Sequence, residues 1–254
     1  MISAIISYCT NDIIFLEPQL KQATKFSDEI IIPICRNLFN GEEEDKKLLD
    51  KTFDICKSYE NVHIIMYDWQ GLKDHNCFYN NLSRKIGTDK AKNDWLFFLD
   101  VDEIVGNEFS NWFSGRKNLD HSWWFSCYWY FREPTYQAIC NEGCGLLIRK
   151  KYCDWNLYSK LERQQLFQKL YNEYKLTVSG IKEVFNKDGN KLLHHYSWVR
   201  SHENMLKKVI NWSHKDDKKW VDLVNEEFSR PFNGTDFVFG YSYNTVENYF
   251  NISV

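Results

Sequence analysis

The sequence predicts an α/β protein whose mostly parallel sheet is flanked by helices and followed by a helical C-terminal extension. Three observations carry this. Short apolar runs alternate with longer amphipathic stretches through the first half, the run "DWLFFLDVDE" passes from buried strand to carboxylates, and dense aromatic strands take over from Ser122. The strand candidates of the first half are "SAIIS", "DEIIIPI", "NVHIIMYD" and "DWLFFLDVDE". Between them, helices are predicted over about 13–26, 45–59 after the acidic "GEEED", and 76–92, each long enough for a right-handed crossover. "SWWFSCYWYFREP" and "GCGLLIRK" read as added strands of mixed direction. A helix near 159–175 precedes the strand "NKLLHHYSWV", introduced by the turn signal "KDGN", and there the sheet is expected to end. Beyond it Met205, Val209 and Trp212, then Trp220, Leu223, Val224 and Phe228, are spaced for two amphipathic helices. The expected organisation is one domain over 1–200 with residues 201–254 packed on the same body, without linker or repeat.

Length and composition narrow the function classes. With 254 residues, 43% of them hydrophobic, the chain can build one sizeable core. Lys+Arg 32 against Asp+Glu 35 leaves a net charge of -3, so no bulk positive field favours a phosphate polymer, and nucleic acid is not an expected partner. The opening "MISAIISYCTNDIIF" has no basic leader, and no uncharged run approaches the roughly 18 residues of a membrane span. A soluble, unprocessed chain is expected, with peripheral membrane contact left open. Eight cysteines, at 9, 35, 56, 77, 127, 140, 144 and 153, form no CxxC pair and suit a reducing cytoplasm. Cys140, Cys144 and Cys153 have no zinc-ligand spacing with a histidine and read as buried structural thiols.

Asp100 and Asp102 leave the sheet after the apolar stretch Trp95–Leu99, at the carboxyl edge where open α/β sheets bind ligands. The two-residue period points both to one side, where two charges repel unless a cation lies between them. Oxygen ligands in this arrangement suit Mg²⁺ or Mn²⁺ shared with substrate phosphates. Arg84, in the helix before this strand, is placed to meet a diphosphate. His194 and His195 lie on opposite faces of one strand, so one aims at the metal and the other packs or meets solvent. Trp123, Trp124, Tyr128, Trp129, Tyr130 and Phe131 alternate between two faces, leaving one or two to meet a sugar.

"DWLFFLDVDEIV" resembles the D-x-D segment of nucleotide-sugar-dependent glycosyltransferases of the GT-A fold, particularly their GT2-like group. "AIISYCTND" is similar to that group's first strand and nucleotide-binding loop, "GLLIRK" to the strand after its acceptor segment, and "HHYSWVR" to the closing His-containing segment of some viral and bacterial members. Together these matches span about residues 1–200. The resemblance implies a metal-dependent, inverting transfer of a sugar from a nucleoside diphosphate, UDP first, to a glycan hydroxyl. It implies that Ser7, Tyr8, Asn11 and Asp68 grip the nucleotide with Asp100 and Arg200, and that His195 joins Asp100 and Asp102 on Mn²⁺ or Mg²⁺. It puts the catalytic base at Glu162 in "SKLERQQLF", with Asp154 next, although the family's usual Glu-Asp pair is missing here. Trp129, Arg132 and Glu133 would face the acceptor. Two rivals stay open: a nucleotidyltransferase, although "SYCTND" lacks a glycine-rich phosphate loop, and a carbohydrate-binding module with a structural cation.

Overall fold

The most apolar stretches become the middle of the sheet. Strand β1 (Ile2–Ser7) is buried nearly throughout and lies between β2 (Glu29–Cys35) and β4 (Trp95–Asp100), both parallel to it, with β3 (Val62–Tyr67) outside β2. Strands covered on both faces need continuous hydrophobic sequence, which explains why these runs do not alternate. The computed structural model describes residues 1–38, 41–68, 76–119, 121–140, 142–154, 161–174, 188–212 and 214–254, with residues 76–80, 171, 173 and 174 by backbone alone.

Crossovers are made by α1 (Ile13–Ala23), α2 (Lys46–Cys56) and α3 (Asn76–Lys90). Helix α2 starts where the Asp45 carboxylate accepts from the Lys47 and Leu48 amides at 2.8 and 3.0 Å, satisfying donors that have no partner inside the helix. Helix α3 lies tightly on β1 because Gly87 offers no side chain; an added Cβ would stand 2.4 Å from Ile5 Cγ2.

After β4 come the short β5 (Glu103–Val105) and α4 (Phe109–Ser114). The aromatic run then splits in two. β6 (Trp123–Phe131) ends at Arg132, which holds a left-handed φ of 59°, and β7 (Glu133–Ala138) returns antiparallel. β8 (Glu142–Arg149) runs antiparallel between β6 and β4, so the second half is mixed in direction as predicted. Helix α5 (Arg163–Tyr174) covers β8, and β9 (Leu193–Trp198) pairs parallel with β6 and antiparallel with β5. Positions 159, 160 and 175 of the helix predicted there, and Lys187 of the predicted turn, lie outside the described residues.

The C-terminal region holds α6 (His202–Asn211), capped by Ser201, and α7 (Trp220–Phe228). They pack Met205, Val209, Trp220 and Val224 against Phe131 and Trp198. This region is not purely helical, and the sheet does not end at β9: β10 (Tyr243–Thr245) pairs with β7, extending the sheet to the order β10-β7-β6-β8-β4-β1-β2-β3. The sequence hides this strand because "YNT" is three residues long and two of the three are polar. Among the described residues no helix is long and apolar enough to cross a membrane.

Gly87→Ala forces the new methyl into Ile5 and lowers stability by about 1–3 kcal/mol, the usual cost of overpacking a filled core. Urea unfolding checks this; an unchanged midpoint rules out the close α3–β1 contact.

Candidate active site

Parallel pairing brings four strand ends to one edge. Ser7 lies opposite Asp100 in the β1–β4 register, and the Val101 amide donates to the Ser7 carbonyl at 3.0 Å, so the segments following both strands leave together. They enclose a cavity of about 350 Å³. Ser7, Tyr8, Asn11 and Asp12 line it from the β1 side, Asp100 and Asp102 from β4, and Arg84 from α3. Glu162 and Arg163 enter at the start of α5, His195 from β9, and Lys208 and Trp212 from α6 and its end. Pro33, Leu38 and Tyr67 add apolar surface to the lining.

Each carboxylate of the pair has its own cations. Asp100 accepts from Arg163 Nη2 at 2.9 Å and lies 3.5 Å from Arg84 Nη2. Arg163 also forks onto Glu103, both nitrogens at 2.6 Å, and Glu103 Oε2 accepts from the Asp100 amide at 2.9 Å. Asp102 Oδ2 meets Arg200 Nη2 at 3.3 Å and Lys208 Nζ at 3.8 Å, while Oδ1 lies 3.6 Å from His195 Nε2. The positive charge expected beside the pair is supplied in part by the protein itself, from Arg84 of α3, Arg163 of α5, Lys208 of α6, His195 of β9 and Arg200 ahead of α6, placements that the sequence does not reveal.

Burial alone would raise the Asp102 carboxyl, but Lys208, His195 and Arg200 outweigh it and hold it down at about 2. Asp100 is likewise held below its ordinary value by Arg163 and Arg84 against burial. Burial would lower the His195 imidazole, yet its hydrogen bond with Cys127 and the charge of Asp102 push it up to about 9. Burial and the neighbouring Arg200 pull the Lys208 ammonium down. Burial and Arg163 do the same to the Arg84 guanidinium. His194 faces the other way, is pushed down to about 3 by burial, and its Nδ1 shares a 2.7 Å hydrogen bond with the Tyr130 hydroxyl.

The structure thus brings Ser7, Tyr8, Asn11, Arg84, Asp100, Asp102, Glu162 and His195 to one cavity. Other residues singled out from the sequence stand elsewhere. Asp68 is exposed beyond β3, and it is Tyr67 that lines the cavity. Arg200 is fully buried behind Asp102, donating also to Asp12. Arg132 reaches the Glu227 carboxylate at 3.2 Å and stacks on Phe228, tying α7 to the β6–β7 turn. Glu133 and Asp154 are exposed and outside the cavity lining. Trp129 is buried behind His195, their ring centroids 4.8 Å apart. Sequence reasoning missed Arg163 and Lys208. Lys208 carried a signal, because it interrupts the stripe Met205, Val209, Trp212, where a charge needs a buried partner.

The donor set suits a hard or borderline divalent ion. A 3.6 Å gap between Asp102 Oδ1 and His195 Nε2 is too long for a hydrogen bond yet within a small shift of the spacing two ligands take round one ion. Asp100, its side chain 36% exposed, turns toward the same space.

No protein-family model and no curated protein matches the chain. Among solved structures it is similar to residues 1–349 of S. aureus TarS in complex with UDP-GlcNAc, at 12% identity and a TM-score of 0.49 over 90% of this chain and 72% of that one. It is also similar to the galactosyltransferase LgtC in complex with donor and acceptor sugar analogs, at 12% identity and 0.44 over 91% and 98%. A third likeness is to a glucose-1-phosphate thymidylyltransferase from Bacillus anthracis, at 12% and 0.43 over 69% and 85%. Likenesses of this size establish no shared activity.

Glu44, at the cavity edge, accepts from the Thr10 amide and hydroxyl, and burial raises its carboxyl above 4.5. The unfolded chain ionises first, so the native state loses stability as pH rises from about 4.5 through the raised value. Glu44→Gln removes that loss: its unfolding midpoint gains on the wild type from acid to neutral pH, and parallel profiles would refute the shift.

Proposed function

We propose that this chain is a glycosyltransferase of GT-A type that moves a sugar from a nucleoside diphosphate, UDP first, to a glycan hydroxyl with inversion, using Mn²⁺ or Mg²⁺. The observation that carries the reading is the convergence of Asp100, Asp102 and His195 with Arg84 and Lys208 on one cavity at the carboxyl edge of β1 and β4. A divalent ion held by Asp100, Asp102 and His195 would offset charge on the departing diphosphate. The free thiols among the described residues suit a reducing cytoplasm.

Every other part falls to the protein. Tyr67, Pro33 and Leu38 offer the base an apolar slot, and Asn11 and Ser7 offer polar groups near the ribose and phosphates. Arg84 and Lys208 donate to phosphate oxygens where negative charge grows as the anomeric C–O bond breaks. Glu162 takes the proton of the acceptor hydroxyl as that oxygen attacks the anomeric carbon from the opposite face; one C–O bond forms while the other breaks, which inverts the centre. Of the two candidate bases, Glu162 is favoured because it lines the cavity, whereas Asp154 does not. It is held at the helix start: its amide donates to the Gln165 side chain at 3.0 Å and its carbonyl accepts from Leu166 at 2.8 Å. Trp212, on the cavity wall, supplies the aromatic face for acceptor sugar in place of Trp129.

Incubation with a panel of UDP-sugars and Mn²⁺ tests the reading by its products. Release of UDP supports it, release of pyrophosphate from a nucleoside triphosphate and a sugar 1-phosphate in a parallel incubation, without release of UDP from the UDP-sugars, identifies a nucleotidyltransferase, and glycan binding without consumption of donor identifies a lectin-like module. Asp100→Asn and Asp102→Asn should each abolish Mn²⁺-dependent donor binding in calorimetry. Glu162→Gln should lower kcat by about 10²–10⁴-fold at unchanged donor affinity. A Glu162→Gln enzyme as fast as the wild type rules out Glu162 as base.

A further inference from the structure

Behind the cavity wall, three metal-binding side chains from three different strands meet. Cys127 of β6, Cys144 of β8 and His195 of β9 place their ligand atoms within 4.8 Å of one another. Both cysteines are fully buried, and His195 is only 14% exposed.

Local backbone features put them there. The β6–β8 register shifts between Trp124 and Phe125, leaving Cys144 opposite Phe125 and Cys127 opposite Glu142, a diagonal pair. Cys144 sits between two glycines that admit no side chain. A Cβ on Gly143 would stand 2.2 Å from Trp124 Nε1, and one on Gly145 would stand 2.8 Å from Leu193 Cδ2. Gly145 also holds a φ of +67°, a turn in the strand that glycine takes without strain. The third donor is aimed the same way: His195 Nδ1 is buried with no nitrogen or oxygen partner, Nε2 points to Asp102, and the ring is within hydrogen-bond reach of Cys127.

We propose that Cys127, Cys144 and His195 form a second cation site, selective for a thiophilic ion of the zinc class and separate from the carboxylate pair. A tetrahedral ion holds sulfur at about 2.3 Å and imidazole nitrogen at about 2.0–2.1 Å, so its ligand atoms sit about 3.5–3.8 Å apart. Closing the observed 4.8 Å envelope to that spacing takes side-chain shifts of about an ångström. Two sulfurs and one imidazole select soft or borderline ions and reject Mg²⁺, whereas Asp100 and Asp102 select hard ones. Each thiol releases its proton to solvent as its bond to the ion forms, and two thiolates neutralise a dication in the apolar surroundings of Phe97, Leu99 and Leu193. His195 also lines the cavity and gives the ion its route in. The inference does not depend on the glycosyltransferase reading; only His195 is common to the two sites.

Co²⁺ added to the reduced full chain is the test. Thiolate-to-cobalt charge-transfer absorption in the near ultraviolet is expected, saturating at one ion per chain and abolished by excess Zn²⁺. Cys144→Ala should lose it, and Asp102→Asn should keep it while losing Mn²⁺-dependent donor binding. Should Cys144→Ala not fold, the wild-type spectrum and a Cys127→Ser variant decide. Reduced wild type without the band overturns the site, as does a band that survives Cys144→Ala or vanishes with Asp102→Asn.

Discussion

The Glu103–Arg163 pair organises the carboxyl edge. Glu103 has no solvent exposure, and a buried carboxylate is tolerated only when charge and hydrogen bonds surround it. Arg163 supplies both bonds in fork geometry and reaches on to Asp100, while Glu103 accepts from the Asp100 amide. Gln19 of α1 donates to the Glu103 carbonyl from the other side. One ion pair therefore locks α5 to the end of β4 and the start of β5, and Glu162, one residue ahead of Arg163, is set at the cavity as a result.

A second pair works opposite it. Arg200, fully buried, joins Asp12 at the head of α1 to Asp102, and Lys208 of α6 approaches the same carboxylate. Around the cavity the carboxylates Asp12, Asp100, Asp102 and Glu103 thus meet the cations Arg84, Arg163, Arg200 and Lys208, equal in number. Glu44 and Glu162 line the same cavity beyond these pairs, and His195 adds a further cation; a dianionic nucleotide sugar brings two more negative charges, which an accompanying divalent ion would offset.

The parallel half was legible because burial on both faces writes itself into composition: Ile2–Ser7, Glu29–Cys35 and Trp95–Asp100 could hardly be anything but interior strands. The carboxylate pair was legible for the same reason, since it ends the most apolar run. What sequence could not convey was pairing at a distance. Arg132 read as an acceptor contact because it follows aromatics, yet Glu227, ninety-five residues on, claims it. Cys127, Cys144 and His195 have no recognisable spacing, because their proximity comes from β6 lying between β8 and β9. Arg200 was placed on phosphate from its segment alone, whereas a tertiary contact with Asp12, at the opposite end of the chain, draws it inside.

Helix α6 contributes Lys208, and Trp212 follows at its end, so part of the cavity wall is built from a segment that follows nine of the ten strands among the described residues. A nascent chain ending before it lacks Lys208 and Trp212, as well as β10 of the sheet, so this wall of the cavity is among the last parts of the site to be put in place.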